Sequence, residues 1–136
     1  MAKPIVSGYQ LPWARGLDFS SSVAVGDLIF PSGVTGHRDD GTLPTDFEGQ
    51  LRQAFANLDT VLQAQGGSLG SIVRVTIYFA RRQDYADFRR LRPQLLSSPF
   101  PASTGVVVEL LIEGLLVELD AIAVRGDGRT ADDPQG

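Results

Sequence analysis

Two carboxylates, Glu118 and Asp120, stand in Val117-Glu118-Leu119-Asp120-Ala121-Ile122-Ala123, an otherwise apolar run. A carboxyl in such a setting must be compensated or carry a raised pKa, and a carboxyl tuned in this way suits the positioning or deprotonation of water. The competing reading of Glu118 is a structural carboxylate at a subunit seam. Asp120 shares the face of Glu118 and reads as its polar neighbour. Ser103 and Thr104 follow Pro101-Ala102, with Ser103 fifteen residues before Glu118. Their hydroxyls suit a neutral ligand, or they merely begin a strand. Ser32-Gly33 offers a backbone N–H at a turn. His37 and Arg38 sit in the loop after Gly33, so Arg38 is a candidate cation for an anionic group, against the alternative of solvent exposure. Arg15 has the same two readings. Ser32 and His37 form no nucleophilic dyad, because nothing in the sequence orients an imidazole against that hydroxyl.

Composition removes several other chemistries. The chain of 136 residues has no cysteine and one histidine. Disulfides, thiolate nucleophiles and cysteine metal sites are therefore out, and a multi-histidine metal centre is not expected. No metal or cofactor is implied. The formal charge of −4 argues against nonspecific nucleic-acid binding, which draws on phosphate neutralisation. Arginine far outnumbers lysine, a bias of GC-rich bacterial genomes, and Arg81, Arg82, Arg89, Arg90 and Arg92 cluster. An RNA patch would interleave aromatic platforms with these cations. Tyr85 and Phe88 of this segment read as facing inward rather than as such platforms, so the cluster reads as a solvated helix face. No run reaches the roughly 18 apolar residues of a membrane span, and no signal-like apolar stretch follows Met1-Ala2-Lys3. The cytoplasm is the expected address.

The elements that must position these residues follow from periodicity. Residues 1–16 are irregular, with a short strand near Ile5, and Trp13 reads as a packing anchor for this arm. Phe19–Val25 and Leu28–Val34 form a hairpin across Gly26-Asp27. Thr45 and Glu48 have capping-box spacing, and Phe47, Leu51, Ala54, Phe55, Leu58, Val61 and Leu62 give one helical stripe that ends at Gly66-Gly67. Ile72–Phe79 is a half-buried strand. Gln83–Leu96 is a second helix, with Tyr85, Phe88, Leu91 and Leu95 inward. Strands over Thr104–Leu110 and Leu115–Val124 complete the fold. The expected class is α+β: a single mixed sheet in the order β-β-α-β-α-β-β with two helices on one face. The domain spans 1–125, and 126–136 read as a disordered polar tail. Both registers of the last strand are largely apolar, yet two helices cover only one face. A closed homo-oligomer is the expected cover for the other.

Residues 17–125 resemble the Rid family of reactive intermediate deaminases (YjgF/YER057c/UK114). The resemblance rests on Gly26-Asp27-Leu28-Ile29-Phe30-Pro31-Ser32-Gly33, the helix from Gln50 through Asn57-Leu58, Val73-Arg74-Val75-Thr76-Ile77-Tyr78, Phe100-Pro101-Ala102 and Val117–Val124. It implies a chorismate-mutase-like fold and a homotrimer whose sheets form a central barrel, with a small-molecule cleft at each subunit interface. Deaminating members carry an arginine after Pro-Ala that grips the substrate carboxylate. A glutamate fifteen residues later orients or activates the attacking water. A backbone N–H at a Ser-Gly turn and a tyrosine thirteen residues before that serine complete their cleft. By position, Glu118 matches the glutamate and Ser32-Gly33 the turn.

Two positions depart from that pattern. Ser103 stands where the arginine is expected, and Phe19 stands where the tyrosine is expected. A charge-assisted bidentate contact contributes roughly 1.5–3 kcal/mol, so a 2-imino acid loses much of its anchor here. The family has divisions without this arginine, and the Trp13 segment resembles theirs. Three functions follow in order of preference. The first is hydrolysis of an imine, enamine or related electrophile, with Glu118 positioning water and the Gly33 N–H polarising the substrate. The second is a non-catalytic cleft in which Ser103 and Phe19 shape an apolar pocket. The third is an RNA-directed activity resting on the arginine cluster.

Overall fold

In the computed structural model, which describes residues 2–132, the chain turns at Gly26-Asp27 to pair β2 (Ser22–Val25) with β3 (Leu28–Pro31). Only Gly26 takes a left-handed φ, of 58°, at this two-residue turn. The short β1 (Ile5–Val6) pairs with β2 on its outer side. Both strands of the hairpin are shorter than their apolar runs. The second breaks at Ser32-Gly33 and resumes as β4 (Val34–Thr35), which pairs with β7 (Val117–Val124) rather than β2.

The remaining strands are β5 (Ile72–Phe79), which runs over the span its alternation predicts, and β6 (Ala102–Val107). The path through the sheet is β1-β2-β3-β7-β5-β6, with β4 also on β7. The β5–β6 pair is parallel and the others antiparallel, so the sheet is mixed. The expected order of elements holds, with β1 and β4 added. β6 ends at Val107 instead of Leu110, and β7 begins at Val117 instead of Leu115. Residues 108–116 form a protruding connection with Leu111 fully exposed.

One face of the sheet is covered by α1 (Phe47–Gln63) and α2 (Tyr85–Leu95). The α1 stripe is buried as its period requires, against Ile29, Val75, Ile77, Val117, Leu119 and Ala121. Two polar side chains enter this packed layer from α1. Gln50 donates to the carbonyls of Pro44 and Gly114 (2.8 and 2.9 Å) and accepts from the Leu116 N–H at 2.8 Å. Asn57 donates to the carbonyls of Thr35 and His37 (2.9 and 2.8 Å). These bonds pin the loop after β4 and the entry to β7, the two segments that flank Glu118.

Two expectations are corrected. The capping box is absent: Asp46 is the N-cap and makes no side-chain cap bond. Glu48 instead pairs with Arg52, one turn along α1, and with Arg90 of α2, at 3.0 and 3.3 Å. The second helix starts at Tyr85 rather than Gln83, because Arg81 grips Asp84 through two bonds of 2.9 and 2.8 Å and closes a 3₁₀ turn. That start leaves Tyr85 47% exposed while Phe88 and Leu91 are buried. Beyond Gly126, in the expected tail, the Arg129 guanidinium donates to the carbonyls of Leu69, Gly70, Ile72, Ser97 and Pro99. Residues 133–136 of that tail lie outside the described residues.

Candidate functional site

Strand register decides which side chains meet. Val117, Leu119, Ala121 and Ala123 of β7 point to the helices and are buried, so Glu118, Asp120 and Ile122 face the other side of the sheet. Across the ladder, Glu118 is level with Thr35 on β4 and Tyr78 on β5, and Asp120 is level with Thr76. Glu118, Asp120, Tyr78 and Gly33 line a cleft of about 370 Å³, rimmed by Val108 to Leu111. Gly33 leaves the Glu118 carboxylate its place, since a Cβ there would overlap a carboxylate oxygen. Burial pushes the Glu118 carboxyl above its ordinary range, and the negative charge of Asp120 adds to the shift. The result is a carboxyl partly withdrawn from water, beside a glycine backbone and a tyrosine.

Other residues singled out from sequence are placed differently. Ser32 has its hydroxyl committed to the Ser20 carbonyl at 2.6 Å, and its N–H to Ser21 at 2.9 Å. It holds the turn that presents Gly33. Phe19 is 41% exposed and precedes β2, with its carbonyl accepting from Gln10. Arg38 closes its own loop, donating from its guanidinium to Thr42 at 3.0 Å and from its N–H to the Thr42 carbonyl at 2.8 Å. Neither Phe19 nor Arg38 lines the Glu118 cleft. Arg15 is exposed at the end of the 3₁₀ turn holding Trp13. His37 shares a 2.6 Å bond with Thr35, packs on Trp13 with ring centroids 4.7 Å apart, and has its pKa lowered by burial.

Ser103 and Glu118 are not brought together within one chain. Ser103 is level with Val75, which faces the helices, so Ser103 lies on the helix side of edge strand β6. Glu118 lies on the opposite side, two strands away. Thr104 does share the Glu118 side and accepts from Arg74 at 2.6 Å. Sequence reasoning missed Tyr78 as a residue lining the Glu118 cleft. The alternation Arg74-Thr76-Tyr78 on β5 carries the signal, because it puts a cation and a phenol on the side of Asp120 and Glu118. Among the described residues, no group of three or more metal-ligating side chains is gathered.

An α+β fold of one mixed sheet and two helices matches solved structures of Rid proteins. The Endoribonuclease L-PSP family profile matches residues 13–125, and the chain belongs to this family, also known as Rid or YjgF. The chain is 36% identical over 107 residues to the RutC family protein YjgH of Escherichia coli K12, covering 77% of this chain and 81% of that protein. It is 30% identical over 133 residues to the 2-iminobutanoate/2-iminopropanoate deaminase of Bos taurus, covering 96% of each. Among solved structures it is similar to RidA from the Antarctic bacterium Psychrobacter sp. PAMC 21119, with a TM-score of 0.77 and 30% identity over 82% of this chain and 91% of that one. Among the described residues no helix is long and apolar enough to cross a membrane.

Proposed function

We propose that the protein is a cytoplasmic homotrimer that hydrolyses an imine, enamine or related reactive electrophile at clefts between its subunits. The observation that carries this reading is Glu118, half-buried in a cleft against Gly33 with its carboxyl pKa raised by burial. A carboxylate tuned upward is a better base near neutral pH than an ordinary one. It takes a proton from water as the water oxygen bonds to the imine carbon and the C=N pair moves onto nitrogen. Return of that proton to nitrogen gives a carbinolamine; transfer of its hydroxyl proton to nitrogen, as the oxygen pair forms the C=O bond, breaks the C–N bond, releasing ammonia and leaving a ketone or aldehyde. Tyr78, level with Glu118, is placed to donate to substrate at the same cleft. In this reading Gly33 polarises the substrate through its N–H, and Ser32 fixes the turn.

The sheet supports the shared cleft. Val25, Leu28, Phe30 and Val106 are 37–41% exposed on the helix-free face, an apolar area suited to burial by another copy. The placement of Ser103 and Glu118 on opposite sides of the sheet is consistent with a site completed by two copies. With Ser103 and Phe19 in the positions described, the substrate is not a standard 2-imino acid gripped by an arginine at position 103. The test is ammonia release from imines generated in situ from several amino acids, comparing wild type with Glu118→Ala. Equal rates remove the hydrolytic reading. The uncharged side chains at 103 and 19 favour a second reading, a trimer that binds a small ligand without turnover; unchanged ligand recovered from the protein supports it.

A further inference from the structure

The arginine cluster of α2 opens on a groove that, within one chain, shares no lining residue with the Glu118 cleft. Among the described residues, β6 has no strand on its outer side. There Phe79, Tyr85, Gly105, Val106, Val107 and Arg82 enclose about 520 Å³. A second hollow of about 660 Å³ continues from it, sharing Arg82 and Tyr85 and adding Arg89. Gly105 keeps the floor open, since a Cβ there would come within 3.2 Å of the Phe79 ring. Tyr85 forms a fixed wall, set edge-on to Phe79 at 6.0 Å and stacked on Phe88 at 6.5 Å.

The cations of this region fall into two sets. Arg81 is locked on Asp84, Arg90 pairs with Glu48 and Asp87, and Arg92 lies over the Phe88 ring at 4.8 Å. The guanidinium groups of Arg82 and Arg89 have no hydrogen-bond or salt-bridge partner among the described residues, and both line the continuous groove. Two uncommitted guanidinium groups beside an aromatic and aliphatic wall suit a carboxylate on an apolar body.

We propose that this groove binds a small organic carboxylate, with Arg82 and Arg89 holding the anion and Tyr85 and Val107 contacting its apolar body. Ser103 lies two residues before Gly105 on the same side of β6. Under the function proposed above, the groove is therefore the β6 half of the shared cleft, and Arg82 and Arg89 supply from α2 the positive charge that Ser103 lacks. That extension rests on the proposed function; binding of the carboxylate does not.

The experiment is titration of the full chain with benzoate, benzamide and a single-stranded RNA homopolymer, followed by calorimetry and backbone amide shifts. Benzoate is expected to move amides of residues 82–89 and 105–107 and to bind roughly tenfold or more tightly than neutral benzamide. Arg82→Gln and Arg89→Gln are each expected to weaken benzoate about tenfold, with Arg89→Lys retaining part of the affinity. Both arginines are exposed, and an unchanged melting temperature checks that the variants fold. Equal affinity for benzoate and benzamide, or benzoate binding indifferent to both substitutions, overturns the proposal. So does RNA binding with steep salt dependence and no benzoate binding. Ammonia release without benzoate binding would sink this inference and leave the hydrolytic reading standing; benzoate binding with no turnover of any imine would do the reverse.

Discussion

Gly33 and Glu118 meet so closely that a single methyl group on residue 33 would occupy the space of the carboxylate. The contact is with the far end of a flexible side chain, so Gly33→Ala is expected to displace Glu118 rather than disrupt the sheet. Stability should fall by less than about 1.5 kcal/mol, while kcat for ammonia release falls tenfold or more. Pairing the substitution with Glu118→Asp, which retracts the carboxylate by one methylene, should restore part of the rate. Thermal melts and steady-state kinetics on the single and the double variant check this. A Gly33→Ala protein of full activity would show that the contact has no role in turnover.

The raised pKa of Glu118 has a stability consequence of definite sign. Its folded-state pKa lies above the ordinary value of 4.5, because burial and then Asp120 disfavour the charge. The stabilisation associated with the protonated form is full below about 4.5 and is lost as pH rises through the folded-state value. Glu118→Gln, which is neutral throughout, is therefore expected to melt above wild type at pH 7, with the gap closing below pH 4.5. Activity should follow the opposite course, rising with pH as the carboxylate forms. Asp120→Asn removes the second cause of the shift, so the acid limb of kcat/KM should move to lower pH. An acid limb unmoved by Asp120→Asn would contradict the assignment of that limb to Glu118.

Gln50 is fully buried and bonds three backbone groups, Pro44 O, Gly114 O and Leu116 N. Gln50→Ala leaves these groups without their partner and opens space in the helix layer. A cost of about 2–4 kcal/mol is expected from urea unfolding. The affected turn leads into β7 and carries the far end of the 108–116 connection, so amide exchange should rise there well before the rest of the sheet. Uniform loss of protection would argue that Gln50 serves the core alone.

The fold was legible where burial sets a period. The α1 stripe from Phe47 to Leu62 and the alternation of β5 gave their elements directly, and the buried register of β7 left Glu118 on the opposite face. Cap and turn chemistry was less legible, because a side chain has several partners within reach. Glu48 takes two arginines instead of its own backbone, and Asp84 takes Arg81. The site was half legible. Glu118 and Gly33 stood out by type and by resemblance, but the position of Ser103 across the sheet depends on the parallel pairing of β6 with β5. No local pattern encodes that register. Arg38, attractive in sequence, is consumed by its own loop through Thr42.

The opposite facing of Ser103 and Glu118 makes the shared cleft testable by complementation. Ser103 is exposed, so Ser103→Trp should block the β6 half of a cleft without harming the fold, whereas Glu118→Ala removes the carboxylate half. Each variant alone is expected to be inactive in ammonia release. If the two halves come from different subunits, unfolding and refolding an equal mixture should generate some clefts with both halves intact. For a cyclic trimer assembled at random that fraction is about one quarter of the wild-type number. Sedimentation equilibrium should give three chains for both variants, and Phe30→Asp, on the exposed apolar face, should lower that number and abolish turnover together. A mixture that stays inactive while each variant is trimeric would mean that the two positions never contribute to one cleft.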